Sequence, residues 1–170
     1  MVSKFDSRYL KLDKETSEGH YAQFSFVVQH FSTLPNWQFN QLYHTNCRSL
    51  PTSWEIEIKS EEKPSNSCLV SLSRIDYINR PIDAHIWVSC FDIHQRRLSF
   101  PKVFGKKAVR PYEKVQGNIE EMIPSEEMRY LGKGELIVEV SVSISLCHKG
   151  IMPSAVNLIS GMKKMEFSKL

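Results

Sequence analysis

Hydrophobic and polar residues alternate along three consecutive segments of the chain between residues 54 and 91. A period of two puts apolar side chains on one face of a strand and polar side chains on the other. The longest alternating segment spans residues 136–146, and we expect it to be a central strand. Because the same period recurs in each segment, the pattern predicts antiparallel β structure rather than helix.

Shorter and less regular patterns add to this set of strands. Residues 102–117 are ambiguous, because their pattern allows either one strand or two. About seven to eight short strands with little helix predict an all-β chain folded as an antiparallel β-sandwich. The less regular patterns predict strands at 23–30, at 37–43, at 98–103 and near 108–112, and a short helix or loop at 119–130.

Length and composition favour a single domain. The chain has 170 residues, of which 41% are hydrophobic, which is enough for one core and too little for two. Residues 1–19 are polar and lack a sustained period, so we expect an extended or disordered lead-in without a role in the fold. The sandwich is expected over residues 20–161, and residues 162–170 are expected to be a tail. Residues 155–159 are compatible with a short C-terminal helix.

The charge distribution argues against nucleic acid as a partner. The chain carries 22 basic and 19 acidic residues, a net charge of +3, and its basic residues gather mainly at 102–110 and 163–164. This excess is too small to indicate nucleic-acid binding, and a solvated loop explains the cluster at 102–110. No apolar run approaches the roughly 20 residues that a membrane span needs, so we predict no membrane span.

Cysteine usage favours a reducing compartment. The four cysteines are far apart and form no Cys-x-x-Cys pair. Two of them, Cys68 and Cys90, fall in predicted strands, where a free thiol behaves as a small apolar side chain. Together with the lack of a signal-peptide pattern, this predicts an intracellular protein, either cytoplasmic or nuclear.

The sequence contains no recognisable catalytic or cofactor motif. Its six histidines show no metal-ligand spacing, and the adjacent pair Cys147 and His148 has no second pair at finger spacing. A Gly-x-Ser-x-Gly elbow and a glycine-rich phosphate loop are both lacking. The paired glutamates are most simply explained as solvated side chains. We therefore predict a protein that is not an enzyme and that holds neither a cofactor nor a metal.

Four stretches, taken in order, resemble the MATH (TRAF-like) domain, and in particular its speckle-type POZ branch. Residues 26–32 (FVVQHFS) resemble the opening Trp-x-Ile-x-Asn-Phe-Ser of that family, with phenylalanine in place of tryptophan. Residues 54–58 (WEIEI) resemble its Trp-x-Leu-x-Ile strand, and residues 69–72 (LVSL) its Tyr-Leu-Ser-Leu strand. Residues 110–117 (RPYEKVQG) resemble the Arg-Ala-Tyr-Arg-Phe-Val-Gln-Gly stretch of its peptide groove.

The resemblance implies an eight-stranded sandwich that binds a short extended segment of a partner protein across one sheet. In the speckle-type POZ branch that segment is a Ser/Thr-rich degron, and a following BTB domain links it to a cullin ubiquitin ligase. This chain is too short to include a BTB domain, so the resemblance implies a fragment or a free-standing adaptor. A strand edge or sheet face offers backbone hydrogen bonds and side-chain pockets to such a segment.

The resemblance also assigns candidate peptide-binding residues. Tyr112 corresponds to the groove tyrosine, and Lys114 lies in the same stretch. Ser73 and Ile86 fall where the family's groove has a tyrosine and a phenylalanine. Phe104 and Gly105 stand in for a Trp-Gly pair that the family carries later in its chain, or that element has been lost.

Two interpretations from different classes stay open. The first is the peptide-binding module with Tyr112 in its groove, although Tyr112 is also compatible with an ordinary half-exposed strand position. The second is a structural or assembly domain that makes contacts with itself, as a homo-oligomer, or with a partner through an exposed sheet face or the C-terminal segment. Trp87 lies on the polar face of its predicted strand, where it marks such a surface or is covered by a loop or by the C-terminal segment.

Overall fold

The computed structural model describes residues 9–34, 36–61, 66–131 and 134–148. Strands dominate this part of the chain, and a 3₁₀ helix at Met128–Leu131 is the helical element found in it. The strands are β1 (Tyr9–Glu15), β2 (Gly19–Val28), β3 (Gln38–His44), β4 (Ser53–Ser60), β5 (Cys68–Arg74), β6 (Ile82–Phe91), β7 (Lys102–Val109), β8 (Lys114–Ile119) and β9 (Leu136–Ser145).

Two antiparallel sheets form the molecule. One sheet has the strand order β1-β2-β9-β6-β7, and the other has the order β3-β4-β5-β8. The predicted antiparallel β-sandwich is therefore confirmed. The strand with the longest alternation, β9, lies in the centre of the five-stranded sheet between β2 and β6, as its pattern predicts.

The core lies between the two sheets and is built from the alternating apolar positions. The ring of Phe26 on β2 stacks on the ring of Phe39 on β3, with centroids 4.2 Å apart and planes 5° apart, so one aromatic pair joins the two sheets. Trp54 on β4 is fully buried, and its indole Nε1 donates a hydrogen bond to Thr52 Oγ1 at 2.8 Å. Burial of such side chains supplies most of the driving force for folding.

The segment at residues 102–117 forms two strands that belong to different sheets. β7 ends the five-stranded sheet and β8 ends the four-stranded sheet. The strand predicted near 108–112 is wrong, because the chain turns there: the Glu113 amide donates to the Arg110 carbonyl at 3.1 Å. Pro111 lacks an amide hydrogen and Tyr112 has a φ of 65°, and neither property suits a paired strand position.

Two other sequence predictions differ from the structure. The lead-in predicted at residues 1–19 includes strand β1, which pairs with β2 and has a register shift between Leu10 and Leu12. β1 is an edge strand whose described side chains are exposed, so backbone pairing rather than apolar alternation holds it. The strand predicted at 98–103 is present only in its last two residues, because β7 begins at Lys102; an isolated bridge between Phe91 and Arg97 precedes the predicted range.

The remaining terminal predictions concern parts of the chain that the structure does not describe. The C-terminal helix expected at 155–159 and the tail at 162–170 both lie outside the described residues.

The segment predicted as a helix or loop at 119–130 follows the end of β8. Residues 120–127 form a loop, which leads into the 3₁₀ helix at Met128–Leu131. Within the described ranges, no helix has the length and apolar character that crossing a membrane requires.

Two glycines in the five-stranded sheet provide a test of its close packing. A Cβ at Gly19 would collide with the backbone carbonyl of Ile144, whereas a Cβ at Gly105 would meet only the imidazole ring of His85. Because a backbone in a paired strand cannot move aside, we expect Gly19→Ala to lower the free energy of unfolding by about 1–3 kcal/mol. Gly105→Ala should cost less, because the ring can rotate. Urea unfolding of both variants measures the difference, and equal losses would contradict this account.

Candidate functional site

The strands β7 and β8 form an open edge at one side of the sandwich, here called the β7–β8 edge (residues 102–109 and 114–119). Each is the last strand of its sheet, and the two strands contact each other. Every residue of β7 except Phe104 and Val109 is exposed, which is unusual for a strand in a sandwich. Its side chains include three lysines, and Lys114 of β8 is also exposed.

Phe104 closes the gap between the two sheets at this edge. Its ring lies directly against Gly117 of β8, where a Cβ would overlap the ring. In the β6–β7 pairing Phe104 lies opposite Ile86, and Ile86 is completely buried. The expectation that Ile86 lines a surface groove is therefore wrong, because the inward face of β6 places this side chain in the core. Phe104 itself is half-buried and remains accessible at the edge.

The other candidate residues lie on two different surfaces. Lys114 pairs with Ser73, so both side chains belong to the outer face of the four-stranded sheet. Gly105 pairs with His85 and lies beneath the His85 ring on the outer face of the five-stranded sheet. Tyr112, whose side chain is 76% exposed, lies in the turn between β7 and β8. The structure thus groups Tyr112, Lys114 and Ser73 at one end of the edge and separates them from Gly105.

A buried arginine supports the turn that carries Tyr112. Arg74, at the end of β5, is 0% exposed, and its guanidinium forms a two-pronged ion pair with Asp76, with N–O distances of 2.9 to 3.2 Å. Its remaining donors bind the carbonyls of Ile78, at 2.8 Å, of Val109, at 2.9 Å, and of Arg80. The guanidinium therefore ties the loop after β5 to the end of β7.

The backbone of Arg74 also binds the turn itself. Its carbonyl accepts the Tyr112 amide at 3.0 Å, and its amide donates to the Glu113 carbonyl at 2.9 Å. The Glu113 carboxylate accepts the Arg110 amide and the Lys106 ammonium, each at 3.0 Å, and these bonds lower the pKa of Glu113. Tyr112 is consequently presented to solvent from a fixed backbone. In the sequence, the only indication of this ion pair was that Arg74 ends an alternating strand two residues before Asp76.

A second concentration of chemical groups lies at a different place in the sandwich. His20, Cys47, Cys147 and His148, here called the Cys₂His₂ cluster, bring their ligand atoms within 4.8 Å of one another. His20 lies near the start of β2, Cys47 in the loop between β3 and β4, and the last two residues follow β9. The prediction of no metal site considered only local spacing, and it missed this set because three separate segments contribute to it. In the sequence, the cluster was indicated only by the adjacent positions of Cys147 and His148.

The cluster is mostly shielded from solvent. Both cysteines and His20 are buried, and His148 is partly exposed. Burial lowers the pKa of His20, an effect that Glu15 opposes and His148 reinforces. Burial, together with the neighbouring Cys47, raises the pKa of the Cys147 thiol to about 11.

An aromatic group lies on the outer face of the five-stranded sheet. Trp87 stacks on His85 with ring centroids 5.9 Å apart and lies 6.5 Å from the ring of Tyr21. The Tyr21 hydroxyl donates a hydrogen bond to Ser141 Oγ at 2.9 Å. Trp87 is half-buried, and the C-terminal segment expected to cover it lies outside the described residues.

Comparisons with known proteins identify no family. No protein-family model matches the chain, and no curated protein matches it. One solved structure with a match is the enzymatically active domain of tailspike protein 4 of bacteriophage CBA120, with 8% sequence identity and a TM-score of 0.21. The match covers 65% of this chain and spans only 18% of the tailspike chain. A likeness this weak carries no argument about fold or function.

Proposed function

We propose that this chain is a protein-interaction module that binds a short extended segment of a partner protein along the β7–β8 edge. The observation that carries the proposal is the side-by-side position of two terminal strands, one from each sheet. Terminal strands expose backbone donors and acceptors on one side, and an extended peptide satisfies them by adding a strand. The exposed ring of Tyr112 supplies an aromatic anchor beside them.

Charge defines the kind of segment that suits this edge. Lys102, Lys106 and Lys107 are exposed on β7, with Arg110 in the turn and Lys114 at the start of β8. Only Lys106 among them has an ion pair within the described part of the chain, and its partner is Glu113. A segment with acidic or phosphorylated side chains would complement this charge. The edge therefore favours an extended, acidic partner segment.

The resemblance to the MATH domain supports the same proposal. β2 to β9 are eight strands, the number that the resemblance implies, and β1 is an additional strand. The finer proposal follows from the resemblance alone: the partner segment is Ser/Thr-rich, and the module acts inside the cell as a substrate adaptor for a cullin ubiquitin ligase. Because Ile86 is buried and Ser73 replaces an aromatic residue, the groove contacts would differ from those of the family.

Binding is tested with the full chain and a pool of Ser/Thr-rich peptides with acidic flanking residues. We expect amide chemical-shift changes along β7, at Tyr112 and at Lys114, and about a tenfold loss of affinity in Tyr112→Ala, since interface aromatics commonly contribute 1 kcal/mol or more. Leu42→Ala is the matched control, because Leu42 is 53% exposed on β3, the opposite edge of the four-stranded sheet. Unchanged shifts in a folded sample, or an unchanged affinity in Tyr112→Ala, would overturn the assignment.

A second candidate function is self-assembly through the outer face of the five-stranded sheet. The observation in its favour is the patch formed by the half-buried Trp87 and by Val103, which is opposite it in the β6–β7 pairing and 51% exposed. Gel filtration with light scattering separates the two functions. A mass that rises with concentration and returns to the monomer value in Trp87→Ser supports assembly, whereas a constant monomer mass excludes it.

A further inference from the structure

We infer that His20, Cys47, Cys147 and His148 form a structural zinc site that joins the two sheets of the sandwich. Two thiols and two imidazoles are a ligand set that zinc binds in tetrahedral geometry. All four ligands come from the protein, which is typical of structural sites, whereas catalytic zinc keeps a position open for water or substrate. The site is independent of the β7–β8 edge and of the function proposed for it.

The spacing of the ligand atoms suits a zinc ion. At zinc–nitrogen distances of about 2.0–2.1 Å, two nitrogens of a tetrahedral site lie about 3.4 Å apart. The Nε2 atoms of His20 and His148 are 3.2 Å apart. Two sulfurs about 2.3 Å from the metal lie about 3.8 Å apart, and every ligand pair of the cluster is within 4.8 Å. Adjustments of about one ångström at most would complete the tetrahedron.

The hydrogen bonding of His148 orients its ring for metal binding. Its Nδ1 atom lies 3.3 Å from the Ser17 carbonyl oxygen, which can only accept a hydrogen bond. When zinc is bound, a proton on Nδ1 would donate to this carbonyl and leave the Nε2 lone pair, which faces His20 Nε2, for the metal. Zinc-bound histidines commonly have this arrangement, in which a carbonyl fixes the other ring nitrogen. The His20 and His148 rings meet edge to face at 80°, with their centroids 5.1 Å apart.

The segments that present the two cysteines are held in place by the protein backbone. In the loop that carries Cys47, the Thr45 amide donates to the Thr52 carbonyl, and the Thr52 amide donates to Thr45 Oγ1, each at 3.0 Å. After β9, the Leu146 amide donates to the Glu18 carbonyl at 3.1 Å, next to Cys147. The site is thus assembled by hydrogen bonds that do not need the metal.

Burial and charge also agree with a zinc ion in this position. Two thiolates neutralise a divalent ion, so the occupied site carries no net charge and suits a buried environment. Cys47 comes from a loop between strands of the four-stranded sheet, whereas the other ligands come from β2 and the end of β9 in the five-stranded sheet. The ion would therefore connect the two layers at one end of the sandwich.

Two other arrangements of the same residues are distinguishable from a metal site. Cys47 and Cys147 could form a disulfide on oxidation, although both are free thiols in this structure. His148 Nε2 also lies 3.3 Å from a carboxylate oxygen of Glu15, with which protonated His148 would form an ion pair. Glu15 is 62% exposed, and a glutamine at this position would remove the ion pair without disturbing the core.

The experiment is titration of the full chain, purified under reducing conditions, with Co²⁺ and then with Zn²⁺. We expect the visible absorption of tetrahedral, thiolate-bound cobalt, its loss on addition of one equivalent of zinc, and a rise in thermal stability with zinc. Cys147→Ser should weaken zinc binding by more than about 100-fold, because changes to groups behind the ligands alone cost about 10- to 100-fold. Cys90→Ala is the matched control, because Cys90 is buried in β6 outside the cluster and should bind like the native chain.

Further variants keep the test decisive. His148 is only partly buried, so His148→Asn should fold and lose zinc binding even if Cys147→Ser does not fold. Glu15→Gln should retain one equivalent of zinc. The inference is overturned by a folded native chain without the cobalt absorption, by undiminished binding in His148→Asn, or by a Cys47–Cys147 disulfide in the reduced preparation.

Discussion

Replacing Arg74 with methionine is expected to lower the free energy of unfolding by about 3–5 kcal/mol, the range observed when one partner of a buried ion pair is removed. Methionine fills much of the space but leaves the Asp76 carboxylate without its partner. It also leaves the carbonyls of Ile78 and Val109 without the donors that now bind them. Urea unfolding followed by tryptophan fluorescence measures the loss.

The control for this prediction is Arg97→Met. Arg97 is exposed, and its guanidinium lies 5.6 Å from the centre of the Phe91 ring. Its removal should cost less than about 1 kcal/mol, as an exposed cation–π contact contributes about that much at most. Arg74→Lys should restore only part of the lost stability, because an ammonium has three donors and lacks the planar fork. A loss in Arg74→Met no larger than in Arg97→Met would contradict the role assigned to Arg74.

The ion pair between Arg74 and Asp76 also makes the stability of the fold depend on pH. Burial alone would raise the pKa of Asp76, but hydrogen bonds from Arg74 and from the amides of Ser53 and Ile78 outweigh it and lower the pKa. The carboxylate therefore stabilises the fold above its ordinary pKa near 3.8, and this stabilisation is lost as the pH falls through the lower native value. Arg74→Met should lose or reverse this dependence, which urea midpoints across acidic pH would measure.

The loss of Arg74 should also reach the proposed binding edge. The guanidinium binds the Val109 carbonyl just before the turn, and the backbone of Arg74 pairs with Tyr112 and Glu113, so losing the side chain should loosen the turn that presents the tyrosine. Amide hydrogen exchange at Tyr112 should become faster in Arg74→Met at a pH where the variant is folded. If the Tyr112 amide exchanged as slowly as in the native chain, Arg74 would stabilise the core without holding the turn in place.

Phe26→Ala is expected to lower the free energy of unfolding by about 3–5 kcal/mol, the usual cost of removing a buried phenylalanine ring. Phe26 is 0% exposed and stacks on Phe39 across the interface between the sheets. Its loss therefore leaves a cavity in the contact that joins β2 to β3. Urea unfolding of the variant measures the effect.

A double-mutant cycle isolates the aromatic contact from the cavity. Phe26→Ala, Phe39→Ala and the double variant should give a coupling energy of about 0.5–1.5 kcal/mol, as found for aromatic pairs. Leu42→Ala on the same strand as Phe39 provides the surface reference and should change stability by less than about 0.5 kcal/mol. A coupling energy near zero would mean that the two rings contribute independently.

The candidate site was less predictable from the sequence than the fold. Alternation placed Ile86 on the opposite face of β6 from Trp87, and its burial followed from that pattern. The resemblance nevertheless assigned Ile86 to a groove, and the structure shows that its face belongs to the core. Lys114 and Gly105 could not be assigned to different outer faces, because no local pattern reveals that β7 and β8 belong to different sheets.

The sequence by itself determined the strand class, the central place of β9 and most of the core. Apolar side chains at every second position must face one side, and burying that side requires a second layer. Only the tertiary structure decided the edge strand β1, the Arg74 support and the Cys₂His₂ cluster. These features depend on backbone pairing and on side chains brought together from distant segments, such as His20 and Cys147. Contacts of that kind leave no period in a sequence, because they are set by how the sheets stack.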